Sequence, residues 1–164
     1  MRCCACLLLV LASVAGGQGQ KQDKEITLAV VVHAKNPIKT VSFAELRAYL
    51  KVERQFWPNK KRVELFLRPS RSLEMEILLS KIYRMSNDEL RKYWVGKVFR
   101  GDITKRPAIV PNVAAARSRV LKVTGAMTVV LADEIPEGVR VLTIGGKKPS
   151  DPDYPLFGEK KSEP

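Results

Sequence analysis

The sequence has few of the residues on which most catalytic and metal sites depend. It contains one histidine, His33, and its three cysteines all lie within the first six residues. The glycine-rich patterns G-x-x-x-x-G-K-[ST] and G-x-G-x-x-G, which cradle nucleotide phosphates, do not occur. His33 would have to be the general base for any serine nucleophile and the histidine ligand of any metal centre. Its position at the end of a predicted strand suggests instead a residue at the edge of the sheet without a catalytic role. We therefore predict a protein that is not an enzyme and that needs no metal or cofactor.

The N-terminal apolar run is too short for a membrane span. It covers residues 3–15, whereas a transmembrane helix needs about 20 apolar residues. A positive start precedes it, and the small residues Ser13 and Ala15 end it, which is the pattern of a secretory signal peptide. We predict a signal peptide at residues 1–17, a linker at 18–25, and export across the inner membrane to the periplasm. An uncleaved N-terminal anchor is the alternative.

Acidic residues are also few. Lys plus Arg number 29 against 17 Asp plus Glu, a formal net charge of +12, and losing Arg2 with the signal peptide leaves 28 against 17, or about +11. Such a balance favours anionic partners. We expect no nucleic acid among them, because acidic residues are interspersed along most helices and the predicted signal peptide would export the chain. The exported chain would also lack cysteine, which excludes disulfides and thiol chemistry.

The remaining pattern is that of an α/β domain. The predicted elements are strand Ile26–His33, helix Phe43–Leu50, strand Val63–Leu67, a helix after Ser72, a helix from Ser86 to about Phe99, helix Val113–Val123, and strands Met127–Leu131 and Val139–Ile144. The first strand has a run of apolar residues without alternation, which indicates burial on both faces, as in a parallel or mixed sheet. We place the domain at residues 26–146 and a flexible tail at 147–164.

Two helix starts carry the S-x-x-E capping box. Ser42 with Glu45, and Ser86 with Glu89, have the spacing at which each side chain satisfies a backbone N–H of the other residue. Asn112 has the position of an N-cap for a further helix. These signals predict where three of the helices begin.

The segment Arg68-Pro69-Ser70-Arg71-Ser72 is the candidate anion site. A strand ends there and a helix begins, so backbone N–H groups and about half a positive charge face outward. Arginine adds a planar fork of donors that matches phosphate or carboxylate oxygens. We take Arg68, Ser70, Arg71 and Ser72 as the anion-binding residues. The alternative is that Ser70 or Ser72 caps the helix and the arginines are solvated.

Other polar and aromatic groups have simpler explanations. Glu74 and Glu76 follow the candidate site, and we attribute them to helix-start electrostatics and solvation. Four aromatic residues could form a stacking platform, although core or hinge packing is the simpler role. They are Trp57, Tyr93, Trp94 and Phe99.

Ordered landmarks along the chain resemble a known family. They are VVVHAKNPIKTVSFAELRAYL, FWPNKKRVELFLRPSRS, YRMSNDELRKYWVGKVFRG and TKRPAIV. Together these runs, within Ile26–Ile144, are similar to the phosphate-binding proteins of ABC importers, which have the type II periplasmic binding-protein fold. The closest similarity is to the short, half-length proteins grouped with that family.

This resemblance implies one lobe of the fold, with a mixed sheet flanked by about four helices. It also implies that Arg68 and Ser72 match the family's Arg and Ser, which hold one side of the phosphate. The family's Gly-rich turn is Pro69-Ser70-Arg71 here, and its early lobe has no counterpart in this sequence. We therefore expect weak binding of inorganic phosphate or a similar oxyanion, or binding completed by a partner.

Two kinds of partner follow from the single lobe. A second copy could supply the missing lobe by self-association, or a membrane or exported protein could cover the site. The alternative function is an exported protein–protein interaction module that keeps the lobe without a ligand. It would use its basic, aromatic surface for docking.

Overall fold

The structure, a computed structural model, describes residues 25–159, so the predicted signal peptide and most of the predicted linker lie outside the described residues. In this range the strands are β1 (Glu25–His33), β2 (Thr40–Val41), β3 (Glu64–Leu67), β4 (Ala108–Ile109), β5 (Ala126–Leu131), β6 (Val139–Val141), β7 (Thr143–Ile144) and β8 (Phe157–Glu159). The α-helices are α1 (Phe43–Leu50), α2 (Leu73–Leu78), α3 (Asn87–Phe99) and α4 (Val113–Lys122). A π-helical turn, Leu79–Tyr83, continues α2, and a 3-10 turn, Ala132–Glu134, follows β5.

Most of the strands form one mixed sheet. Its order is β4-β3-β5-β1-β6, and β8 pairs with the beginning of β1. Strand β3 runs parallel to β4 and β5, whereas β1 runs antiparallel to β5, β6 and β8. Strands β2 and β7 form a separate parallel pair. The predicted α/β class, with a mixed sheet and about four helices, is confirmed for the described part of the chain.

Helices cover both faces of this sheet. Leu28, Val30 and Val32 of β1 enter the larger core, to which α1, α2 and α3 contribute. Ala29 and Val31, which alternate with them, enter a smaller core under α4. All five side chains are fully buried, which is why the strand has no polar face and why its sequence shows no alternation.

The predicted helix starts are confirmed. In the first capping box the Ser42 N–H donates to Glu45 Oε2 at 3.0 Å, and the Glu45 N–H donates to Ser42 Oγ at 3.2 Å. Ser86 and Glu89 make the same exchange at 2.8 and 3.2 Å. Asn112 caps α4 by accepting the Ala115 N–H at 2.8 Å. Each box satisfies two backbone donors that the helix itself leaves unpaired.

The C-terminal segment differs from the predicted flexible tail. Residues 147–159 are folded against the domain, and the rest of that prediction, residues 160–164, lies outside the described residues. Tyr154 and Leu156 are buried, and the Leu28 N–H donates to the Leu156 carbonyl at 2.9 Å. The segment has few apolar residues, which is why its sequence resembles a flexible tail. Two of them, Tyr154 and Leu156, nevertheless reach the larger core.

Glycine at position 158 lets β8 approach α2 closely. A Cβ atom at this position would lie 2.6 Å from Ile77 Cγ1, which is shorter than a van der Waals contact. The side chain of Ile77 is itself buried in the larger core. The absence of a side chain at Gly158 therefore allows this strand to lie against the helix layer.

The last predicted strand is divided into two. Within Val139–Ile144, β6 pairs with β1 and β7 pairs with β2, and the fully buried Leu142 lies between them. One continuous apolar pattern thus serves two different sheets. Pattern alone could not show the change of partner.

Candidate functional site

Three parallel strands end at one edge of the main sheet. Arg68 directly follows β3, Val110 follows β4, and Ala132 follows β5. We call this the carboxyl-end edge. Two helices begin next to it, α2 with its cap Ser72 and α4 with its cap Asn112. In open α/β sheets, ligands bind outside the carboxyl ends of the strands, where loops and helix N-termini converge.

The guanidinium of Arg68 is held in place at this edge. Its Nε donates to Glu74 Oε1 at 2.9 Å, and its Nη1 donates to the Val110 carbonyl at 3.2 Å. The side chain is only 13% exposed. Among residues 25–158, Nη2 has no hydrogen-bond partner. Because two bonds orient the planar group, its remaining donors have a defined direction.

Glu74 is a buried carboxylate, contrary to the interpretation as a solvated helix-start residue. Its side chain is 4% exposed and forms an ion pair with Arg68. Its position offered a signal, since Glu74, Ile77 and Leu78 share one face of the helix at the i, i+3, i+4 spacing. A charged residue on an apolar face is seldom buried without a partner, and the arginine six residues earlier is that partner.

The other three predicted residues lie on the same turn but have different surroundings. Ser72 caps α2, because its Oγ accepts the Met75 N–H at 3.2 Å. Ser70 and Arg71 are exposed, and the Ser70 carbonyl accepts a bond from Asn87 Nδ2 at 3.4 Å. The alternative interpretation is therefore correct for the Ser72 cap and for the solvated Arg71, and incorrect for Arg68. That these four residues bind an anion stays a prediction.

A cleft lies beyond the end of β5 and includes Ala132 of the carboxyl-end edge. Its volume is about 410 Å³, within the size range of small-molecule sites. It contains none of the four predicted residues, and Lys148 is the one cationic residue among those that line it. The lining residues are Thr27, Ala132, Ile135, Val141, Thr143, Lys148, Pro149 and Ser150. With mainly apolar walls, this cleft is poorly suited to a small oxyanion.

The aromatic residues divide into core and surface. Trp57 is buried and lies against Tyr49, with ring centroids 4.6 Å apart and the ring planes tilted by 36°. Its Nε1 donates to the Gly125 carbonyl at 3.0 Å. Trp94 is buried against Tyr93, with ring centroids 4.9 Å apart. The core role of these tryptophans is confirmed. Phe99, in contrast, is 90% exposed, so its inclusion in a core was wrong.

The described residues hold neither a metal-binding cluster nor a membrane-spanning helix. Among residues 25–159, no group of three or more His, Cys, Asp and Glu side chains could hold a metal ion. His33 ends β1, and its Nδ1 accepts the Lys35 N–H at 3.0 Å. No helix within the same range has the length and apolar character needed to cross a membrane.

Comparison with known proteins relates this architecture to one class of solved structures. No protein-family model matches the chain, and no curated protein matches its sequence. By structure, 82% of the chain matches a protein described as a phosphate ABC transporter substrate-binding protein from Clostridium perfringens, which was solved with bound phosphate (TM-score 0.66, 12% identity). An ABC-type phosphate transport receptor from Vibrio cholerae (TM-score 0.65, 13% identity) and PstS from Borrelia burgdorferi (TM-score 0.65, 11% identity) match over the same share of the chain.

The chain has the fold of one periplasmic binding-protein lobe. The matches cover 54% of the Clostridium protein and 55% of each of the other two, so the chain spans about half the length of these structures. At such low identity the likeness concerns the fold. It places the carboxyl-end edge in a lobe whose solved counterparts are transport binding proteins.

Proposed function

We propose that this chain is an exported anion-binding module, with residues 1–17 as its signal peptide, and that it is not an enzyme. It binds phosphate or a similar oxyanion weakly at the carboxyl-end edge. The observation that carries the proposal is the orientation of Arg68 by Glu74 and Val110, which leaves Nη2 available in a lobe shared with phosphate-binding proteins. Arginine in such an arrangement offers two N–H groups to an oxyanion.

Three neighbouring groups complete the proposed donor set. Arg71 is exposed and supplies the net positive charge of the turn, since Arg68 is already paired. Ser70 is exposed beside it. Ser72 Oγ accepts one bond from Met75, but its own hydroxyl proton is not used in that bond and can be donated. The set thus combines two guanidinium groups and two hydroxyl groups.

Two features support weak binding. The Glu74 carboxylate, 2.9 Å from Arg68 Nε, repels an incoming anion and offsets the positive charge of its partner. The turn also faces solvent, where water and salt screen the attraction between opposite charges. A second copy or an exported partner that covered this edge would exclude water and strengthen the same contacts.

The first experiment measures thermal stability with phosphate, sulfate or chloride at matched ionic strength. A ligand present at about 100 times its dissociation constant stabilises a protein by roughly 2.7 kcal/mol. We expect phosphate to raise the melting temperature more than chloride does. Arg71→Ala should remove that difference, whereas Arg119→Ala, which deletes the same charge from an exposed position on α4, should retain it. Equal effects of the three salts on the unmodified chain would contradict the proposal.

The variant Glu74→Gln should strengthen phosphate binding, whereas Arg71→Ala should weaken it. Glu74→Gln keeps an oxygen that can accept the bond from Arg68 Nε but removes the negative charge beside the site. If the anion binds Arg68, this variant should bind phosphate more tightly than the unmodified chain does. Isothermal titration calorimetry measures the change, and unchanged or weaker affinity in a folded variant would place any anion site elsewhere.

The alternative function, an interaction module without a ligand, has one observation in its favour. The side chain of Phe99 is exposed on α3, in contrast to the buried tryptophans. That residue is not part of the carboxyl-end edge. Docking through α3 is therefore compatible with anion binding at the edge.

A further inference from the structure

Helix α3 exposes a row of apolar side chains at its C-terminal end. Phe99 is 90% exposed, Val95 is 55% exposed and Val98 is 39% exposed. Their i, i+3, i+4 spacing places the three side chains on one face of the helix. We call these residues the α3 apolar stripe.

The stripe is additional to the face that packs in the core. Leu90 and Trp94 of the same helix already enter the larger core and are buried there. Isolated exposed apolar residues are normal in proteins, but three neighbours, including a phenylalanine almost free of contacts, form a patch. Phe99, the largest of the three side chains, therefore contributes little to the packing of the described domain.

The charges along the helix are unevenly distributed. Its two acidic residues, Asp88 and Glu89, lie in the first turn, whereas Arg91 and Lys92 lie about one turn before Val95 and Arg100 directly follows Phe99. Arg91 pairs with Asp88 at 3.1 Å and Arg100 with Asp102 at 3.1 Å, both between exposed side chains. No carboxylate among residues 25–158 lies within 4.0 Å of Lys92 Nζ. Exposed pairs of this kind are weak and exchange partners readily.

The shape and the small area of the stripe argue against a protein partner. A phenylalanine that is 90% exposed does not line a groove, because the walls of a groove would shield it. A stable protein interface needs about 800 Å² on each partner, which three side chains do not supply. The same small area argues against a stable dimer of this chain through the stripe.

We propose that the α3 apolar stripe contacts an anionic membrane surface. A lipid interface accepts a small apolar wedge without complementary shape, and its headgroups attract the surrounding cations. Phe99 enters the boundary between headgroups and acyl chains, and Lys92, Arg91 and Arg100 lie at headgroup level. This proposal uses only α3, so it is independent of the anion site at the carboxyl-end edge.

The decisive experiment reports on position 99 itself, because residues 3–15 of the full chain could bind lipid on their own. Phe99→Trp is mixed with vesicles of phosphatidylglycerol and phosphatidylcholine that carry brominated acyl chains, which quench only a tryptophan that reaches them. Trp57 and Trp94 are buried, and their signal is measured in the unmodified chain. Ser118→Trp is the matched control, since Ser118 is exposed on α4, on the opposite face of the sheet.

We expect additional quenching for Phe99→Trp and none for Ser118→Trp. No additional quenching at position 99, or equal quenching at both positions, would overturn the proposal. Self-association that is abolished by Phe99→Ser, without lipid binding, would assign the stripe to a second copy instead.

Discussion

The carboxyl-end edge and the α3 apolar stripe both present positive charge, but they hold it in different ways. At the edge, Arg68 is 13% exposed and two protein groups orient it. Beside the stripe, Lys92 is exposed, and its ammonium has no carboxylate within 4.0 Å among residues 25–158. An oriented guanidinium can select a ligand by geometry, whereas a mobile ammonium provides attraction that depends on salt.

The two regions also differ in what their charges contribute to folding. The Arg68–Glu74 pair joins a strand to the helix that follows it, and both side chains are withdrawn from water. The pairs on α3 are exposed and join neighbouring positions of the chain. We therefore expect substitutions at the edge to affect stability and ligand binding together, and substitutions at the stripe to affect surface contacts alone.

The largest expected effect contrasts two aromatic residues of α3. Trp94→Ala should lower the free energy of unfolding by about 3–5 kcal/mol, because it removes a buried side chain and leaves a cavity. Phe99→Ala should change it by less than about 0.5 kcal/mol, since that side chain is exposed. Urea denaturation of both variants measures the difference. A large loss in Phe99→Ala would show that the stripe is part of the fold, which would remove the contrast between the regions.

The second prediction tests whether the C-terminal segment that contains β8 is part of the folded domain. Strand β8 pairs with the beginning of β1, and Leu156 is fully buried there. Leu156→Ala should lower the free energy of unfolding by about 2–5 kcal/mol. A substitution in a flexible tail would have almost no effect, so thermal denaturation distinguishes the observed fold from the tail predicted by the sequence.

The third prediction compares the two kinds of ion pair. Glu74→Ala leaves the guanidinium of Arg68 without its carboxylate partner, and we expect a loss of about 2–3 kcal/mol, below the range for fully buried pairs because Arg68 retains some exposure. Arg91→Ala breaks an exposed pair and should cost about 0–1 kcal/mol. Denaturant titration of the two variants gives both values. Similar losses would mean that burial does not distinguish the two pairs.

The smallest expected effect concerns pH and the start of α3. The carboxylate of Glu89 accepts hydrogen bonds from the backbone N–H and the side-chain hydroxyl of Ser86. These bonds lower the pKa of Glu89 below its ordinary value. A lowered folded-state pKa contributes stability that is present above the ordinary pKa and is lost as the pH falls through the lowered value. Melting temperatures measured across the acid range should therefore decline less steeply in Glu89→Gln than in the unmodified chain. An identical slope would show that the capping box contributes nothing to acid sensitivity.

Local patterns predicted the features that depend on neighbouring residues. The capping boxes of Ser42 and Ser86 form as their spacing indicates, and β1 is buried on both faces. The turn that carries Arg68 and Ser72 lies between a strand and a helix, as expected. Each of these predictions needed only residues within about one strand or one helical turn, where backbone geometry limits the possible contacts.

Features that depend on distant residues were missed. The orientation of Arg68, which directly follows β3, depends on the carbonyl of Val110, 42 residues away along the chain. The folding of β8 requires β1, from the other end of the described chain, as its partner. Neither contact leaves a local signal as strong as a capping box.

The sequence by itself determined the α/β class, the positions of the helix starts and the placement of two arginines and two serines in one turn, because these follow from periodicity and short-range hydrogen bonding. Only the tertiary structure decided which arginine is paired, which aromatic residue faces water and whether the C-terminal segment folds. Those outcomes depend on which side chains are buried, and burial is decided when the sheet packs against its two helix layers, which bring together residues that are distant in the sequence.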